Sequence, residues 1–336
     1  MVRLLAEAGL RGDFACEGLS GGANNRVYRV ECGGQRVLLK AYFQHPHDPR
    51  DRLDAEFSFC RFAWDQGLRC VPRPLASDRT AGLGLYEFVE GRRLSAGEIG
   101  IHEVQQALDF YCALNRHKTA PAARALARGS EACFTLSEHL ACVERRIAAL
   151  ATIDSTIPAN VDAAAFVGDQ LTPVWQRVKS RFTSQAARRN LPLDQAIPEP
   201  DRCLSPSDFG FHNAILATDG RLRFIDFEYS GWDDPAKMVC DFFCQPAVPV
   251  PADCFGPFVA RVTAGLSDPE LHAARVELLR PVYGIKWCCI MLNEFLPAGR
   301  QRRAFAREAW NEDERKRGQL QKARSVLVEL QVFGVD

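Results

Sequence analysis

The stretch LSPSDFGFHNAILATDGRLRFIDFE, residues 204–228, predicts a β-hairpin with polar residues at its open end. Asp219-Gly220 is typical of a two-residue hairpin turn, because Gly adopts positive φ without strain and Asp tolerates it. A turn centred on that dipeptide pairs residues whose numbers sum to 439, which places Asn213 opposite Asp226. Their Cβ atoms would then lie roughly 5 Å apart.

Three polar side chains are expected to gather at this open end. Asp208 lies five residues before Asn213, in a loop that enters the first strand, and Asp226 lies near the end of the predicted second strand, residues 222–227. Carboxylate and amide oxygens are ligands that Mg²⁺ takes when substrate phosphates complete its coordination. The pattern indicates a divalent cation beside a basic carboxylate, although an ordinary hairpin with polar ends has the same sequence features.

The bulk composition excludes several classes of protein. The chain has 336 residues, with 42 basic and 42 acidic side chains, so no global field attracts nucleic acid or an anionic membrane. Its thirteen cysteines include no Cys-x-x-Cys pair and no zinc-finger spacing. The N-terminus lacks the apolar core of a signal peptide, and no apolar run is long enough to span a bilayer. We expect a cytoplasmic protein with reduced thiols and with neither nucleic acid nor membrane as partner.

Residues 1–91 are predicted to be rich in strands. Gly33-Gly34 is a second tight turn, and pairing around it sums to 67, which places Lys40 opposite Val27 on one face of a sheet. A lysine at such a position is common by itself. It indicates a function only together with the residues that lie near it.

One helix and two further strands complete this region. Residues 52–66 have the apolar spacing of an amphipathic helix, which contains Glu56. Strands are expected near 73–76 and 83–88, and Gly91 marks the break at which we place a domain boundary.

Residues 92–336 are predicted to be mostly helical. The three-to-four-residue apolar spacing predicts helices at about 100–117, 136–151, 162–188, 235–245, 256–265, 268–297 and 301–329.

The order of these parts indicates phosphoryl transfer. A glycine turn at Gly21-Gly22 lets backbone N–H groups approach phosphates closely. A lysine in a sheet supplies a point charge to the phosphates, an acid on a neighbouring helix holds the lysine, and metal-bound oxygens neutralise the γ-phosphate.

The segment Pro206-Ser-Asp-Phe-Gly-Phe-His-Asn213 resembles the His-Gly-Asp-x-His-x-x-Asn pattern of the aminoglycoside phosphotransferase and choline kinase family, with the Asp-to-Asn distance kept. The resemblance spans roughly residues 15–300 and implies an α+β, two-lobed protein-kinase-like fold. A small antiparallel-sheet N-lobe with one main helix would occupy residues 1–91. A larger, mostly helical C-lobe with the catalytic loop and acceptor pocket would occupy residues 92–336.

The same resemblance implies roles for individual residues. Asp208 is expected to be the catalytic base that orients the acceptor hydroxyl, and Asn213 and Asp226 to be the metal ligands. ATP and Mg²⁺ are the implied cofactors, with ATP bound by Gly21, Gly22, Asn25, Val27, Lys40, Glu56, Glu87 and Val89.

Three positions depart from the family's pattern. Pro206 replaces the first His, which removes a support but no reacting group. Gly210 stands at the second His position, and His212 nearby is expected to substitute in part. The Asp that usually follows the family's Asp-Pro pair comes three residues late, as Asp241, which we expect to brace the catalytic loop.

The acceptor is expected to be a small molecule. Only seven residues separate Asp226 from Asp234, whereas a protein kinase needs a longer segment there to hold a peptide. For its pocket, the spacing puts Tyr283, Trp287 and Glu294 on one helical face, which would suit a cationic amine or a sugar. The alternative is that the two aromatic residues belong to the core.

Glu228, two residues beyond the predicted metal ligand, is a further candidate for the acceptor pocket. The sequence thus favours an ATP-dependent O-phosphotransferase that acts on a hydroxyl of a sugar, an amino alcohol or an antibiotic. Two alternatives stay open: a nucleotide-binding pseudokinase with a regulatory role, and transfer of AMP by the same fold.

Overall fold

The structure, a computed structural model, describes residues 1–19, 25–44, 48, 50–297, 305 and 311–332. The chain forms two compact units. The first contains the described residues of 1–130 and 203–232, and the second those of 131–202, 233–297 and 311–332. The division into lobes at residues 1–91 and 92–336 stays a prediction.

Short segments of the described residues form the strands, most of which lie in the first unit: β1 Phe14–Leu19, β2 Arg26–Cys32, β3 Gln35–Ala41, β4 Pro74–Asp78, β5 Leu83–Glu87, β6 Gly91–Arg93, β7 Cys203–Ser205, β8 Ala214–Ala217, β9 Leu222–Phe224 and β10 Gly231–Asp233. The helices of the first unit are α1 Val2–Glu7, α2 Arg52–Asp65, α3 Ile101–Asn115 and α4 Pro121–Arg124. Those of the second unit are α5 Leu136–Leu150, α6 Val161–Phe166, α7 Thr172–Arg188, α8 Pro235–Cys244, α9 Phe255–Thr263, α10 Pro269–Leu292 and α11 Glu312–Val332.

The first unit contains a five-stranded antiparallel sheet in the order β1-β2-β3-β5-β4. Gly33 and Gly34 join β2 to β3 with φ of +57° and +76°. Positive φ at both central residues is the requirement of a type I′ turn, which matches the twist of the flanking strands. Val27 therefore pairs with Lys40, and the predicted register is confirmed.

Helix α2 begins where the sequence predicts. The Asp51 carboxylate accepts a hydrogen bond from the Asp54 N–H (2.9 Å), which satisfies one of the free donors at the helix N-terminus. Its apolar side buries Leu53 and Phe57, and Glu56 lies buried between them in sequence. The helix thus carries a carboxylate into the interior of the first unit.

The predicted register of the hairpin at 204–228 is wrong by one residue. Paired residues of β8 and β9 sum to 438, as in Ile215 with Arg223. The turn has three residues, because the Ala217 N–H donates to the Arg221 carbonyl (3.0 Å) and the Gly220 N–H donates to the Ala217 carbonyl (3.0 Å). Gly220 has φ of +75° and Asp219 does not have positive φ, so the type I′ geometry that the sequence suggested does not form.

The second unit is helical, and α10 is its central element. It packs against α5, α7, α8, α9 and α11. The predicted helix at 162–188 is divided by a π-helical turn, Val167–Leu171, which ends two residues before Pro173. Because proline has no N–H, it interrupts the regular ladder of hydrogen bonds there.

The last two predicted helices differ from the structure. The helix predicted at 268–297 ends at Leu292, and a 3₁₀ turn, Asn293–Phe295, follows. The helix predicted at 301–329 corresponds to α11, and residues 301–304 and 306–310 lie outside the described residues. In the described part of the chain, no helix is long and apolar enough to cross a bilayer.

The three-residue turn makes a prediction about stability. Gly220→Ala should lower the free energy of unfolding by about 1–2 kcal/mol, because a Cβ destabilises left-handed backbone by that amount. Gly18→Ala is the matched control, since Gly18 lies in β1 with no atom within 4 Å of an added Cβ and without positive φ. Urea unfolding of both variants measures the difference. Equal stabilities would show that residue 220 does not need positive φ.

Candidate active site

The β3 lysine, Lys40, is shared between two carboxylates of the first unit. Its Nζ donates to Glu56 Oε2 (2.6 Å) on α2, and also to Asp226 Oδ1, two residues beyond β9. Asp226 has φ of +68°, a left-handed conformation that is uncommon for a residue other than glycine. Such strained positions cluster at functional sites.

The charges around Lys40 are unequal. Burial lowers the pKa of Lys40, but the negative charges of Asp226 and Glu56 outweigh it, so the pKa lies above its ordinary value. One ammonium group therefore faces two carboxylates. The Glu56 side chain is 7% exposed and the Asp226 side chain 37%, so the excess negative charge is accessible at Asp226. An approaching cation would meet that carboxylate first.

Aromatic packing holds the segment that carries Asp226. Phe224 stacks on Phe110 of α3, with ring centroids 4.9 Å apart, and Phe227 packs on Phe59 of α2, also at 4.9 Å. Both phenylalanines of the segment are at most 2% exposed. Because Asp226 is flanked by two buried rings, its backbone has little freedom to relax its strained conformation.

Asp208 and Asn213 are joined by hydrogen bonds in the loop before β8. The Asn213 amide Nδ2 donates to the Asp208 backbone carbonyl (2.9 Å) and to its carboxylate Oδ2 (3.2 Å). Asn213 does not face Asp226 across the ladder, because its carbonyl accepts instead from the Ile225 N–H (2.9 Å). With its donor end directed at Asp208, the amide has Oδ1 as the end that could bind a cation.

His212 contacts Asp208 from the other side. His212 Nε2 lies 3.2 Å from Asp208 Oδ1, and the His212 carbonyl accepts from Arg93 Nη1 (2.6 Å). Burial lowers the pKa of His212, but the hydrogen bond and charge of Asp208 outweigh it and raise the pKa above its ordinary value. The imidazole thus contacts the carboxylate that the sequence predicts to be the base.

Asn25 and Glu228 form a buried bridge within the first unit. Asn25 Nδ2 donates to Glu228 Oε2 (2.8 Å), and Asn25 Oδ1 accepts from the Phe43 N–H (3.2 Å). Glu228 is 2% exposed, and Arg52 Nε lies 3.5 Å from its Oε2. A carboxylate with these partners is suited to bracing the chain rather than to the predicted contact with an acceptor. Both ends of the Asn25 amide are likewise engaged within the chain.

The remaining predicted nucleotide contacts lie along the sheet. Val27 is opposite Lys40, Glu87 is the last residue of β5, and Val89 lies two residues beyond it. Gly21 and Gly22 are outside the described residues.

The predicted acceptor residues of the second unit do not share one helical face. Glu294 lies beyond the end of α10, in the 3₁₀ turn, and pairs with Arg315 (2.6 Å). Tyr283 is 2% exposed, with its hydroxyl 2.7 Å from His139 Nδ1, so it is a core residue. Trp287, which is partly buried, donates its Nε1 to Asp241 Oδ1 (3.1 Å).

Asp241 has partners inside the second unit. Lys286 Nζ lies 2.9 Å from both of its oxygens, and Lys237 Nζ lies 3.6 Å from Oδ2. Asp234 caps α8 through the Ala236 N–H (2.7 Å). Lys286 and Lys237 are thus both paired with a carboxylate, and this pairing offsets the cost of burying their charges in a helical core.

Several residues of the first unit escaped the sequence interpretation. The Tyr42 hydroxyl contacts both Glu56 and the Tyr86 hydroxyl. Arg52 lies against Glu228. Tyr42 could have been found, because it lies two residues after Lys40 and strand side chains alternate with a period of two. No sequence signal pointed to Arg52, whose position follows from tertiary packing.

The site fits a metal that relies on its substrate for ligands. Among the described residues, no three His, Cys, Asp or Glu side chains form a metal-binding cluster. Mg²⁺ in nucleotide sites is typically held by one or two carboxylates together with phosphates and water. The Asp226 carboxylate and Asn213 Oδ1 have the chemistry of such a partial set.

Comparison with known proteins identifies the family. Residues 15–256 match the model of the phosphotransferase enzyme family. The chain belongs to that family. No curated protein sequence matches this phosphotransferase.

Solved structures show its fold. The choline kinase of Cryptosporidium parvum is 13% identical, with a TM-score of 0.55 and coverage of 96% of this chain and 91% of that chain. Choline kinase LicA of Streptococcus pneumoniae is 17% identical, at 0.56, with 94% and 93% covered. Spectinomycin phosphotransferase APH(9)-Ia, solved with ADP and spectinomycin, is 12% identical, at 0.56, with 97% of each chain covered. The predicted α+β, kinase-like fold of this phosphotransferase is confirmed, with its antiparallel-sheet N-lobe and helical C-lobe.

The contact between His212 and Asp208 makes stability depend on pH. The folded pKa of His212 is raised, so its contribution is fully present below the ordinary histidine pKa and is lost as pH rises through the folded value. The loss of unfolding free energy caused by His212→Asn should therefore be larger at about pH 5.5 than at about pH 8.5. Urea unfolding at both pH values measures it. His102→Asn, at an exposed position of α3, is the control, and an equal pH response of the two variants would contradict the assignment.

Proposed function

We propose that this phosphotransferase is an ATP-dependent kinase that moves the γ-phosphate of ATP to a hydroxyl of a small molecule. The observation that carries the proposal is the sharing of Lys40 between Glu56 and the partly exposed Asp226. The Lys40 ammonium therefore lies next to the Asp226 carboxylate, and the pair of carboxylates gives the site a net negative charge. Protein kinases use a lysine held by a glutamate, together with a metal-binding aspartate, to hold the phosphates of ATP.

Each residue of the site is proposed to have one task. Lys40, held by Glu56, contacts the nucleotide phosphates. Asp226 and Asn213 Oδ1 bind Mg²⁺, which when bound neutralises charge on the phosphates. Asp208 orients the acceptor hydroxyl and accepts its proton as the acceptor oxygen bonds to phosphorus and ADP leaves. The hydrogen bonds from Asn213 and His212 direct the Asp208 carboxylate.

The adenine is proposed to bind at the end of β5. Val27 would cover it from β2, and the Glu87 carbonyl and Val89 N–H would bind its edge. Gly21 and Gly22 would approach the phosphates, with Asn25 fixing the C-terminal end of that loop through Glu228. The two lobes, residues 1–91 and 92–336, would supply the nucleotide site and the acceptor site respectively.

A small acceptor is favoured by the short connection after Asp226. The chain returns to a helix at Pro235, which leaves no long segment to hold a peptide. Proteins of similar fold include choline kinases and a spectinomycin phosphotransferase. We therefore propose a sugar, an amino alcohol or an antibiotic as acceptor. All thirteen cysteines are free thiols, which supports a cytoplasmic location.

An acceptor screen read by ADP release tests the proposal. Sugars, amino alcohols and aminoglycosides are incubated with ATP and Mg²⁺, and at least one should give ADP in proportion to phosphorylated product. Asp208→Ala should then lower kcat at least about a hundredfold, because the general base is lost. Asp219→Ala, in the turn of the same hairpin, is the control and should keep its activity.

Other outcomes of the screen would identify a different function. Tight ATP binding without product for any acceptor would indicate a regulatory pseudokinase. Release of pyrophosphate instead of ADP would indicate transfer of AMP.

The metal assignment has its own test. Asp226→Asn should lose most of the gain in ATP affinity that Mg²⁺ gives to the wild type, because the amide lacks the negative charge that the carboxylate would supply to the cation. Calorimetric titration of ATP with and without MgCl₂ measures this gain. Asp219→Asn should behave as the wild type. Unchanged binding of MgATP by Asp226→Asn would show that Asp226 is not a metal ligand.

A further inference from the structure

Two buried tyrosines lie directly behind the Lys40–Glu56 pair. Tyr42 follows β3 and is 4% exposed, and Tyr86 lies in β5 and is 2% exposed. The Tyr42 hydroxyl is 2.7 Å from Glu56 Oε2 and 2.7 Å from the Tyr86 hydroxyl. The four side chains thus form one continuous chain of hydrogen bonds.

The direction of these hydrogen bonds follows from the groups themselves. An ammonium only donates, and an ionised carboxylate only accepts. Since Tyr42 has a single hydroxyl proton, that proton goes to Glu56 Oε2, and the Tyr42 oxygen accepts from Tyr86. Burial raises the pKa of both tyrosines above the ordinary value, so both hydroxyls keep their protons at neutral pH.

Tyr42 also contacts the lysine. The Lys40 ammonium lies 5.1 Å from the centre of the Tyr42 ring, within the range of a cation–π interaction. Tyr42 therefore contacts the ammonium through its ring and the carboxylate through its hydroxyl. The relative position of Lys40 and Glu56 is set by this one side chain as well as by their own hydrogen bond.

The sheet makes room for Tyr86 opposite the lysine. Gly84 pairs with Lys40 in the register of β3 and β5. A Cβ at Gly84 would lie 2.7 Å from Tyr86 Cε2 and 2.9 Å from its hydroxyl oxygen. A larger residue would displace the tyrosine, so the absence of a side chain at position 84 is a condition for the hydrogen-bond chain.

We propose that Tyr42, supported by Tyr86, is a positioning residue that holds the Lys40 ammonium in place for nucleotide phosphates. The proposal rests on the kinase function proposed above. If Asp226 were to bind a metal ion, Glu56 would remain as the carboxylate that accepts a hydrogen bond from Lys40. Tyr42 then holds that carboxylate, and with it the lysine.

Nucleotide binding by Tyr42→Phe separates positioning from structure. Phenylalanine keeps the ring and removes the hydroxyl, so Glu56 loses one donor. We expect the affinity for ATP to fall about three- to tenfold, the effect of one typical intramolecular hydrogen bond. The affinity for adenosine should stay unchanged, because adenosine has no phosphate for Lys40 to contact. Tyr86→Phe should give a smaller, equally selective loss.

Tyr28→Phe is the matched control. Tyr28 lies in β2, and its ring packs against the core between α1 and the sheet. This variant should bind ATP and adenosine as the wild type does. If Tyr42→Phe does not fold, the selectivity of Tyr86→Phe decides, since that variant leaves the Tyr42–Glu56 hydrogen bond intact.

The outcomes distinguish this proposal from the kinase proposal. A selective loss of ATP affinity in a protein that releases no ADP would support the positioning role and overturn the kinase. An equal loss of ATP and adenosine affinity, or no loss, in a protein that does release ADP would overturn the positioning role alone. A wild type that binds no ATP would overturn both.

Discussion

One buried ammonium group with two carboxylate partners is the constraint on which the first unit depends. Lys40 could not stay charged in the interior without Glu56 and Asp226, because an isolated buried ion is strongly destabilising. The pairing joins β3 and α2, which are close in the sequence, to the segment after β9, which is far from both. Removing either carboxylate would change the charge of the site as well as its geometry.

The left-handed backbone conformation of Asp226 depends on the packing of the segment around it. A partly exposed carboxylate in left-handed backbone would relax unless its neighbours prevented it. Phe224 and Phe227 prevent it by burying their rings against helices α3 and α2. Apolar packing thus stabilises a polar group in a conformation that it would not adopt alone.

The sequence predicts local features well where one residue type satisfies one backbone requirement. Gly33-Gly34 gives the correct register because both positions need positive φ and both can adopt it. Asp219-Gly220 gives a register that is wrong by one residue, because only the glycine adopts positive φ and the turn gains a residue. The dipeptide alone does not determine whether the chain forms a two-residue or a three-residue turn.

Tertiary partners were harder to predict. The sequence indicates Lys40, Glu56 and Asp226 through their order along the chain, but it does not show that Tyr42 contacts two of them. Helix ends have the same difficulty: Glu294 has helical spacing to Trp287, yet the helix stops two residues earlier. The helical spacing of residues predicts which of them share one face of a helix, but it does not predict where the helix ends.

The sequence separations within the Lys40 cluster have a consequence for synthesis. Glu56 lies sixteen residues from Lys40, whereas Asp226 lies 186 residues away. A chain emerging from the ribosome can therefore balance its buried lysine as soon as α2 is made, long before the second carboxylate exists. Until then the Lys40–Glu56 pair carries no net charge. Asp226, which is synthesised much later, adds the negative charge that makes the folded site attractive to a cation.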